Sequence, residues 1–314
     1  MKTFLLFLAT HLFASYCDAE LEQLWSSIQD INHPTLEEYQ RIDRYLAAGA
    51  RPYLDRLRTA DPFCPSRMQS ILNFRLVSHQ MPIFEQYDFN LTDSTSGRCI
   101  LLYSSSNGIY PEKARKLLWE IGQSGYSGHV LLRIGGFPNT QFGGLNICHV
   151  PYAFKVAFLQ EAKHLGFTEV LWLDLAIHPL ADFETIFWAI EQQGFFFTEV
   201  GTLQGNRPTH LLQAAEELHI TLDLYSEISH ISSSMIGLNM ENSKALQLLD
   251  RWYSAAEQAY PFMTWWPEEL SLSVIAWRIG CPPFGWLGSL VCTENELSQL
   301  QHRPTVQFYL DAFR

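Results

Sequence analysis

The sequence predicts an α/β fold in which helices cover an open, mostly parallel sheet, with a helical extension before it. Short apolar runs at residues 99–103, 129–134 and 170–173 are typical of buried strands. The segments between these runs carry apolar residues at helical spacing. Strands that alternate with helices in this way pair in parallel through right-handed crossovers. With 314 residues, of which 47% are hydrophobic, the chain can form one large α/β domain and a small appendage.

The composition excludes some classes of function. The chain has a formal net charge of -12 and a sequence pI of about 5.3, without a basic stripe, so we expect no nucleic-acid partner. The sequence contains neither a G-x-S-x-G motif nor a dinucleotide-binding glycine fingerprint, which gives little support to a hydrolase or a dehydrogenase.

Residues 1–19 have the pattern of an export signal. Lys2 precedes a mostly apolar run from Thr3 to Ala14, and small residues follow near a cleavage point after Ala19. The run is too short to span a bilayer, so we expect no membrane anchor. The pattern predicts an exported or secreted protein in a periplasm, a lumen or the extracellular space. The alternative is an uncleaved N-terminal helix in a cytoplasmic protein.

The six cysteines do not form a recognisable framework. Removal of the signal would leave an odd number of them, and their spacing matches no zinc-binding pattern. Cys281 and Cys292 flank a loop rich in proline and glycine, and they could form a disulfide if the protein is exported.

After the signal, the sequence divides into a helical extension at 20–97 and an α/β domain at 98–314. Apolar residues in the extension follow a helical period, and prolines break it into pieces. The first strand of the domain ends at Tyr103, a polar loop begins at Ser104, and Pro111 begins the next helix, so Tyr103 and Ser104 are candidate substrate-binding residues. The loop between this strand and this helix would lie at the carboxyl edge of the sheet, where it could receive a base, a ribose or a phosphate. An ordinary strand-to-helix turn is the alternative.

The stretch 168–179 is the centre of the predicted domain. Its apolar strand stops at Asp174, and an ionised carboxylate has to lie where the strand leaves the core. Ligands of open α/β sheets bind beyond the carboxyl ends of the strands. Asp174 could therefore hold a metal ion, a sugar hydroxyl or a ribose, or it could be a loop acid that caps a turn. A glycine-rich segment at 135–144 precedes this unit and has the character of a binding loop.

Several segments, in this order, resemble the nucleotide-diphospho-sugar transferases, which are glycosyltransferases of GT-A type with a Rossmann-like sheet. The resemblance covers roughly Arg98 to Gly288. The matching pieces are PYAFK at 151–155, VLWLD at 170–174, MIGLN at 235–239 with RWY at 251–253, and the helix at 267–279 that begins with Glu268 and Glu269.

The resemblance implies transfer of a sugar from a nucleotide-diphosphate donor to a glycan, protein or lipid acceptor. Asp174 is similar to the first acid of the family's DxD motif, which implies a divalent cation, Mn²⁺ or Mg²⁺. The second acid of the motif falls at Ala176, so the motif is incomplete. His178 could supply a nitrogen ligand, although a histidine beside Pro179 could equally be structural.

Further site residues follow from the chemistry that the resemblance implies. The diphosphate leaves with extra negative charge, and Lys155 and Arg133 are candidates to balance it, with solvated or paired surface charges as the alternative. Glu268 or Glu269 could be the base of an inverting enzyme, or both could simply favour the start of their helix. The rival function is a binding protein for a nucleotide or carbohydrate that keeps the fold without catalysis, which Ala176 favours.

Overall fold

The computed structural model confirms the α/β class and describes most of the predicted domain. The described residues are 33–44, 46, 74–206, 212–262, 264, 266–293, 296–297 and 305–311. The predicted signal at 1–19 lies outside them, as does much of the predicted extension at 20–97. The division into these parts therefore stays a prediction.

Among the described residues, seven strands form a central sheet, and three short strands form a small second sheet. In chain order the strands are β1 (Ile83–Phe89), β2 (Arg98–Ser104), β3 (Gly128–Ile134), β4 (Glu169–Leu173), β5 (Ile177–Pro179), β6 (Phe195–Thr202), β7 (Ser229–Asn239), β8 (Gly285–Trp286), β9 (Val291–Thr293) and β10 (Phe308–Leu310). The central sheet has the order β1-β3-β2-β4-β7-β6-β8, and the small sheet has the order β5-β10-β9.

The central sheet is mixed, with its main parallel part in the middle. Strand β2 pairs in parallel with β3 on one side and with β4 on the other. Strand β1 is antiparallel to β3, and β7 is antiparallel to both β4 and β6. The strand β1 lies inside the range that we assign to the extension. It was missed because it is an exposed edge strand with polar residues at several positions, so it lacks an apolar run.

Helices cover both faces of the sheet. Those of the domain are α1 (Tyr110–Gln123), α2 (Phe154–His164), α3 (Glu184–Gln193), α4 (Leu203–Asn206), α5 (Leu212–Glu217), α6 (Ser243–Gln258), α7 (Pro267–Ile279) and α8 (Leu287–Leu290). Residues of α1 and α3 pack into one core, and residues of α2, α6 and α7 pack into the core on the opposite face.

The sequence explains where these helices begin and end. Proline occupies the first turn of α1 and of α7, where its missing N–H is not needed. The side chain of Asn242 caps α6 by accepting hydrogen bonds from the backbone N–H groups of Lys244 and Ala245. Gly280 ends α7 in the left-handed conformation. Helix α7 is buried on nearly all sides, so its position is fixed by the core.

The topology has its switch point between β2 and β4. Helix α1 follows β2 and covers one face, whereas α2 follows β3 and covers the other face. The chain order therefore reverses at β2, and the ends of β2 and β4 lie side by side. Ligands of open α/β sheets bind at such a switch point.

The described part of the extension packs over the same end of the sheet. The carboxylate of Asp43, in a helical segment at 36–44, accepts hydrogen bonds from the backbone N–H groups of Leu76 at 2.5 Å and Val77 at 3.1 Å. The carbonyl oxygen of Leu76 in turn accepts a hydrogen bond from the N–H of Gly136. The carbonyl oxygen of Arg75 accepts one from the N–H of Ser106. The segment 74–77 thus ties the extension to the loops after β2 and β3.

Two further expectations concern export and the membrane. In the part of the chain that the structure describes, no helix is long and apolar enough to cross a bilayer. Cys281 and Cys292 are both buried and are not joined by a disulfide. Cys281 packs in the core beneath α6 and α7, whereas Cys292 lies in the small sheet.

Candidate functional site

Asp174 lies directly after β4, the middle strand of the sheet. The apolar residues of β4 are buried, and the chain leaves the core at Asp174, whose backbone N–H donates to the carbonyl of Ser234 at 2.8 Å. The carbonyl of Asp174 accepts from Ile177 at 2.9 Å, which closes the turn. About a third of the side chain, 33%, is exposed. The structure therefore places the acid at the strand end that the sequence predicts.

The buried side chain of Lys155 forms an ion pair with the carboxylate of Asp174. It belongs to the first turn of α2 and is only 2% exposed. Its Nζ lies 3.0 Å from Oδ1 of Asp174 and 3.1 Å from Oδ2, and 2.8 Å from Oε1 of Glu268. It also donates to the carbonyl and hydroxyl oxygens of Ser233, at 3.1 and 2.9 Å. A buried ammonium with this many acceptors is fully paired, so Lys155 is not a surface charge.

Glu268 and Glu269 begin α7 and point inward. Glu268 is 1% exposed, and its Oε1 accepts from the hydroxyl of Ser233 at 2.6 Å. Glu269 is also buried and accepts from the backbone N–H and the hydroxyl of Ser233, at 3.0 and 3.1 Å. The ring Nε2 of His230 lies 2.9 Å from its other oxygen. The structure thus joins Asp174 to Glu268 through Lys155, and it joins both glutamates to strand β7.

The network is more acidic than basic by formal charge, because it contains the carboxylates of Asp174, Glu268 and Glu269 and one ammonium. Burial alone would lower the pKa of Lys155, but the charges of Asp174 and Glu268 outweigh it and raise that pKa above its ordinary value. Lys155 is therefore protonated at any physiological pH. Burial raises the pKa of Asp174, which the charge of Lys155 opposes and that of Glu268 reinforces. The amino-terminal ends of α2 and α7 meet here and add partial positive charge.

Tyr103 and Ser104 end β2 at the predicted edge, but both are buried. The ring of Tyr103 stacks on Phe154, with centroids 4.6 Å apart, and its hydroxyl donates to the carbonyl of Gly136 at 2.8 Å. Phe74, from the extension, stacks on both Phe154 and Tyr103, with centroid distances of 5.5 and 6.2 Å. The hydroxyl of Ser104 is buried and has no hydrogen-bond partner among the described residues. A substrate contact by either residue stays a prediction.

Arg133 and His178 have partners away from Asp174. Arg133 pairs with Glu161, farther along α2, through Nη2 at 2.7 Å from both carboxylate oxygens. His178 lies in β5, where its Nδ1 hydrogen-bonds to the carboxylate of Glu120 on α1. Its ring also stacks on Tyr309, with centroids 4.8 Å apart. The structure therefore brings Asp174, Lys155 and Glu268 together and gives Arg133 and His178 other surroundings.

The residues around Asp174 do not fit the donor set of a divalent cation. In the part of the chain that the structure describes, no three His, Cys, Asp or Glu side chains are placed to hold a metal ion together. Both oxygens of Asp174 already accept hydrogen bonds, from Lys155 and from the indole N–H of Trp172 at 2.7 Å. Ala176 supplies no oxygen, and His178 is engaged with Glu120. A cation at Asp174 and His178 stays a prediction without support from these contacts.

The sequence analysis did not identify Ser233 and His230. Both lie on β7, and Ser233 contacts Lys155, Glu268 and Glu269. One signal was available, because three consecutive serines at 232–234 lie within a largely buried strand. Buried hydroxyl groups need hydrogen-bond partners, so such a run indicates a polar network on the neighbouring element.

Comparison with known proteins finds similarity at the level of the fold. No family model and no curated protein matches the chain. Among solved structures, mouse xyloside xylosyltransferase 1 in its apo form is 13% identical, with a TM-score of 0.41, over 72% of this chain and 98% of its own. A glycosyltransferase involved in glycosylation of the major capsid of PBCV-1 is 15% identical, with a TM-score of 0.41, over 69% of this chain and 94% of its own.

A third similar structure is the galactosyltransferase LgtC in complex with donor and acceptor sugar analogues. It is 8% identical, with a TM-score of 0.39, over 69% of this chain and 87% of its own. All three are glycosyltransferases. At these identities and TM-scores the likeness concerns the fold alone, and any conclusion about chemistry has to come from the site.

Proposed function

We propose that this chain is a glycosyltransferase that moves a sugar from a nucleotide-diphosphate donor to a hydroxyl group of a glycan, protein or lipid acceptor. The observation that carries the proposal is the position of Asp174. It lies at the switch point between β2 and β4, it is partly exposed, and a buried lysine fixes its carboxylate. A carboxylate held in this way can accept hydrogen bonds from hydroxyl groups of a ribose or a donor sugar.

The reaction needs fixed positive charge near the leaving group. The bond between the anomeric carbon and the diphosphate breaks, with its electrons moving to the phosphate. The acceptor oxygen bonds to that carbon and passes its proton to the departing diphosphate or to water. The diphosphate therefore gains negative charge in the transition state. Lys155 is already paired with Asp174 and Glu268, so in this proposal the amino-terminal ends of α2 and α7 supply the positive charge at this edge. No step in this proposal depends on a metal ion.

Glu268 and Glu269 act in this proposal as positioning residues. A general base has to come within hydrogen-bond reach of the acceptor hydroxyl. Both carboxylates are buried and accept hydrogen bonds from Lys155, Ser233 and His230. Their contacts fix Lys155 against Asp174 and attach α7 to β7. Asp174 is the partly exposed acid of this network and the one that a substrate can reach in this conformation.

A second candidate is a binding protein that holds a nucleotide or carbohydrate without turnover. Two observations favour it: the second acid of the DxD pattern is replaced by Ala176, and both acids of α7 are buried. The two candidates share the same binding site and differ only in whether the donor bond breaks.

Donor binding and donor cleavage, measured on the same samples, separate the two candidates. Melting temperatures are recorded with UDP, GDP, CDP and ADP and with their sugar conjugates, each with Mn²⁺ or with EDTA. A ligand at a hundred times its dissociation constant stabilises the native state by about 2.7 kcal/mol. Release of the nucleoside diphosphate is then followed for each conjugate that binds, with a panel of glycan acceptors.

We expect one donor to raise the melting temperature and to release its diphosphate, and Asp174→Asn to abolish that release. Asp250→Asn is the matched control, since Asp250 is an exposed acid on α6. Binding without release would support the binding protein instead. If no nucleotide changes the melting temperature under either condition, the donor site is refuted.

A further inference from the structure

A cavity of about 590 Å³ lies apart from the Asp174 edge. It is enclosed by residues 33–36 and 39 of the extension, the start of β1, the loop at 140–142 and the last turn of α2. Its volume falls within the range of sites that bind small molecules. The cavity reaches α2 at Glu161, six residues after Lys155, which corresponds to about 9 Å along the helix. It is therefore a separate site on the same helix.

The floor of the cavity is a buried ion pair with a spare donor. Arg133 lines the cavity and is 7% exposed, and its Nη2 donates to both oxygens of Glu161 at 2.7 Å. Among the described residues, the Nε of Arg133 has no hydrogen-bond partner. A buried N–H without an acceptor is unfavourable. This N–H is covered by protein atoms, so an oxygen atom of a ligand reaches it only after a small shift of the guanidinium toward the cavity, and the missing acceptor favours that shift. The charges of Arg133 and Glu161 cancel, which favours a neutral ligand.

The walls of the cavity present aromatic and aliphatic surface. Phe84 and Phe142 line it and are about half exposed, as is Met81. One face of Phe84 lies against the guanidinium of Arg133, 4.2 Å from the ring centroid. Thr140 and Gln141 add hydroxyl and amide groups beside Phe142. Exposed aromatic rings next to a few hydrogen-bonding groups are the usual make-up of a small-molecule site.

These features together select a class of ligand. A hydrocarbon chain would bury the polar floor without giving it partners, which is unfavourable. An ionic ligand would gain little, because the charges of Arg133 and Glu161 cancel. A pyranose ring has an apolar C–H face that can stack on an aromatic ring, and it has hydroxyl oxygens that can accept from Arg133. We infer that this cavity binds a neutral saccharide ring. This holds whether or not the Asp174 edge transfers sugar.

Ligand-observed NMR tests the inference directly. Saturation transfer from the protein is measured to methyl α-glucopyranoside, methyl β-galactopyranoside, methyl β-xylopyranoside and N-acetylglucosamine. The variant Phe142→Ala removes an exposed ring and leaves the core untouched. The variant Arg133→Lys keeps the charge opposite Glu161 but removes the Nε donor. Trp119→Ala is the matched control, because Trp119 is an exposed aromatic residue on α1, which covers the opposite face of the sheet.

We expect transfer to the ring protons of at least one saccharide, at least tenfold weaker binding in Phe142→Ala and Arg133→Lys, and unchanged binding in Trp119→Ala. Melting curves establish whether each variant is folded. If Arg133→Lys is unfolded, the result for Phe142→Ala decides the outcome. Two results would overturn the inference. One is no transfer to any of the four saccharides. The other is binding that Phe142→Ala leaves intact but Asp174→Asn removes, which would place the sugar at the Asp174 edge.

Discussion

Replacement of Lys155 by methionine tests the central network most directly. Methionine keeps an unbranched side chain of similar length and removes the charge. It leaves the carboxylate of Glu268, which is 1% exposed, without the ammonium that lies 2.8 Å from its Oε1. Asp174 loses the same partner, but about a third of its side chain is exposed, so water can take over part of that contact. The main loss therefore falls on Glu268.

The expected loss of stability follows from the burial of Glu268. Removal of one partner from a buried ion pair typically destabilises a protein by about 3–5 kcal/mol, because the remaining charge is left uncompensated. We assign most of that range to Glu268 and little to Asp174. Since the free energy of unfolding of a domain is about 5–15 kcal/mol, Lys155→Met should remain foldable with a much lower melting temperature. Replacement of Glu268 by glutamine in the same chain removes the uncompensated charge and should restore part of the loss.

Urea denaturation at neutral pH measures this double-mutant cycle. We expect Lys155→Met to lose at least about 3 kcal/mol, and the double variant to lose less than the sum of the single variants by about 1–3 kcal/mol. The control is Lys163→Met on the same helix, whose exposed pair with Asp250 at 3.6 Å should be worth at most about 1 kcal/mol. A loss below about 1 kcal/mol for Lys155→Met, or additive single effects, would show that the network does not depend on this ammonium.

Two further predictions concern the buried acids. Glu268→Gln and Glu269→Gln should lower the free energy of unfolding but keep turnover within about tenfold of the wild type. Loss of a general base would instead lower turnover by about a hundredfold or more with folding intact. Kinetics and melting curves measured on the same variants distinguish the two outcomes. Burial raises the pKa of Asp43 to about 6, from 3.8, against the hydrogen bonds from Leu76 and Val77. The native state therefore holds this proton more tightly, so the stability contributed by Asp43 is fully present below pH 3.8 and is lost as the pH rises through 6. When the pH is lowered from 7 to 4, the free energy of unfolding of the wild type should rise by up to about 3 kcal/mol relative to that of Asp43→Asn. A difference between the two proteins that does not change with pH would contradict this.

The order of strands and helices in the middle of the domain was predictable from local patterns. Strands β2, β3 and β4 are continuous apolar runs, and the prolines of α1 and α7 stand at their first turns. The position of Asp174 was predictable for the same reason. A charged residue that ends a buried apolar run has to lie where the strand leaves the core.

The pairing of the strands was harder to predict from the sequence, because it depends on residues that are distant in sequence. Strand β7 inserts between β4 and β6 and is antiparallel to both, and its apolar pattern does not indicate this direction. Strand β1 was missed because an exposed edge strand needs no apolar run. Periodicity reports which side chains are buried, and it does not report which strand lies beside them.

Lys155 shows the same limit for the site. It lies off the apolar face of α2, and a lysine in such a position is normally solvated. The structure buries it because acceptors from Asp174, Ser233 and Glu268 converge on its ammonium. These acceptors come from three other elements, 19 to 113 positions farther along the chain. A pattern within one helix cannot contain that information.

Arg133 shows how one helix contributes to two sites at the same end of the sheet. Arg133 and Tyr103 are partners in register on β3 and β2, so their side chains point to the same face. Tyr103 packs into the core beneath α2, and Arg133 therefore also turns to α2, where Glu161 meets it. Lys155 stands six residues earlier on the same helix and meets Asp174 instead. Helix α2 thus supplies one charged residue to each of two sites about 9 Å apart along its axis. Substitutions at Lys155 and at Arg133 should therefore affect nucleotide binding and saccharide binding separately.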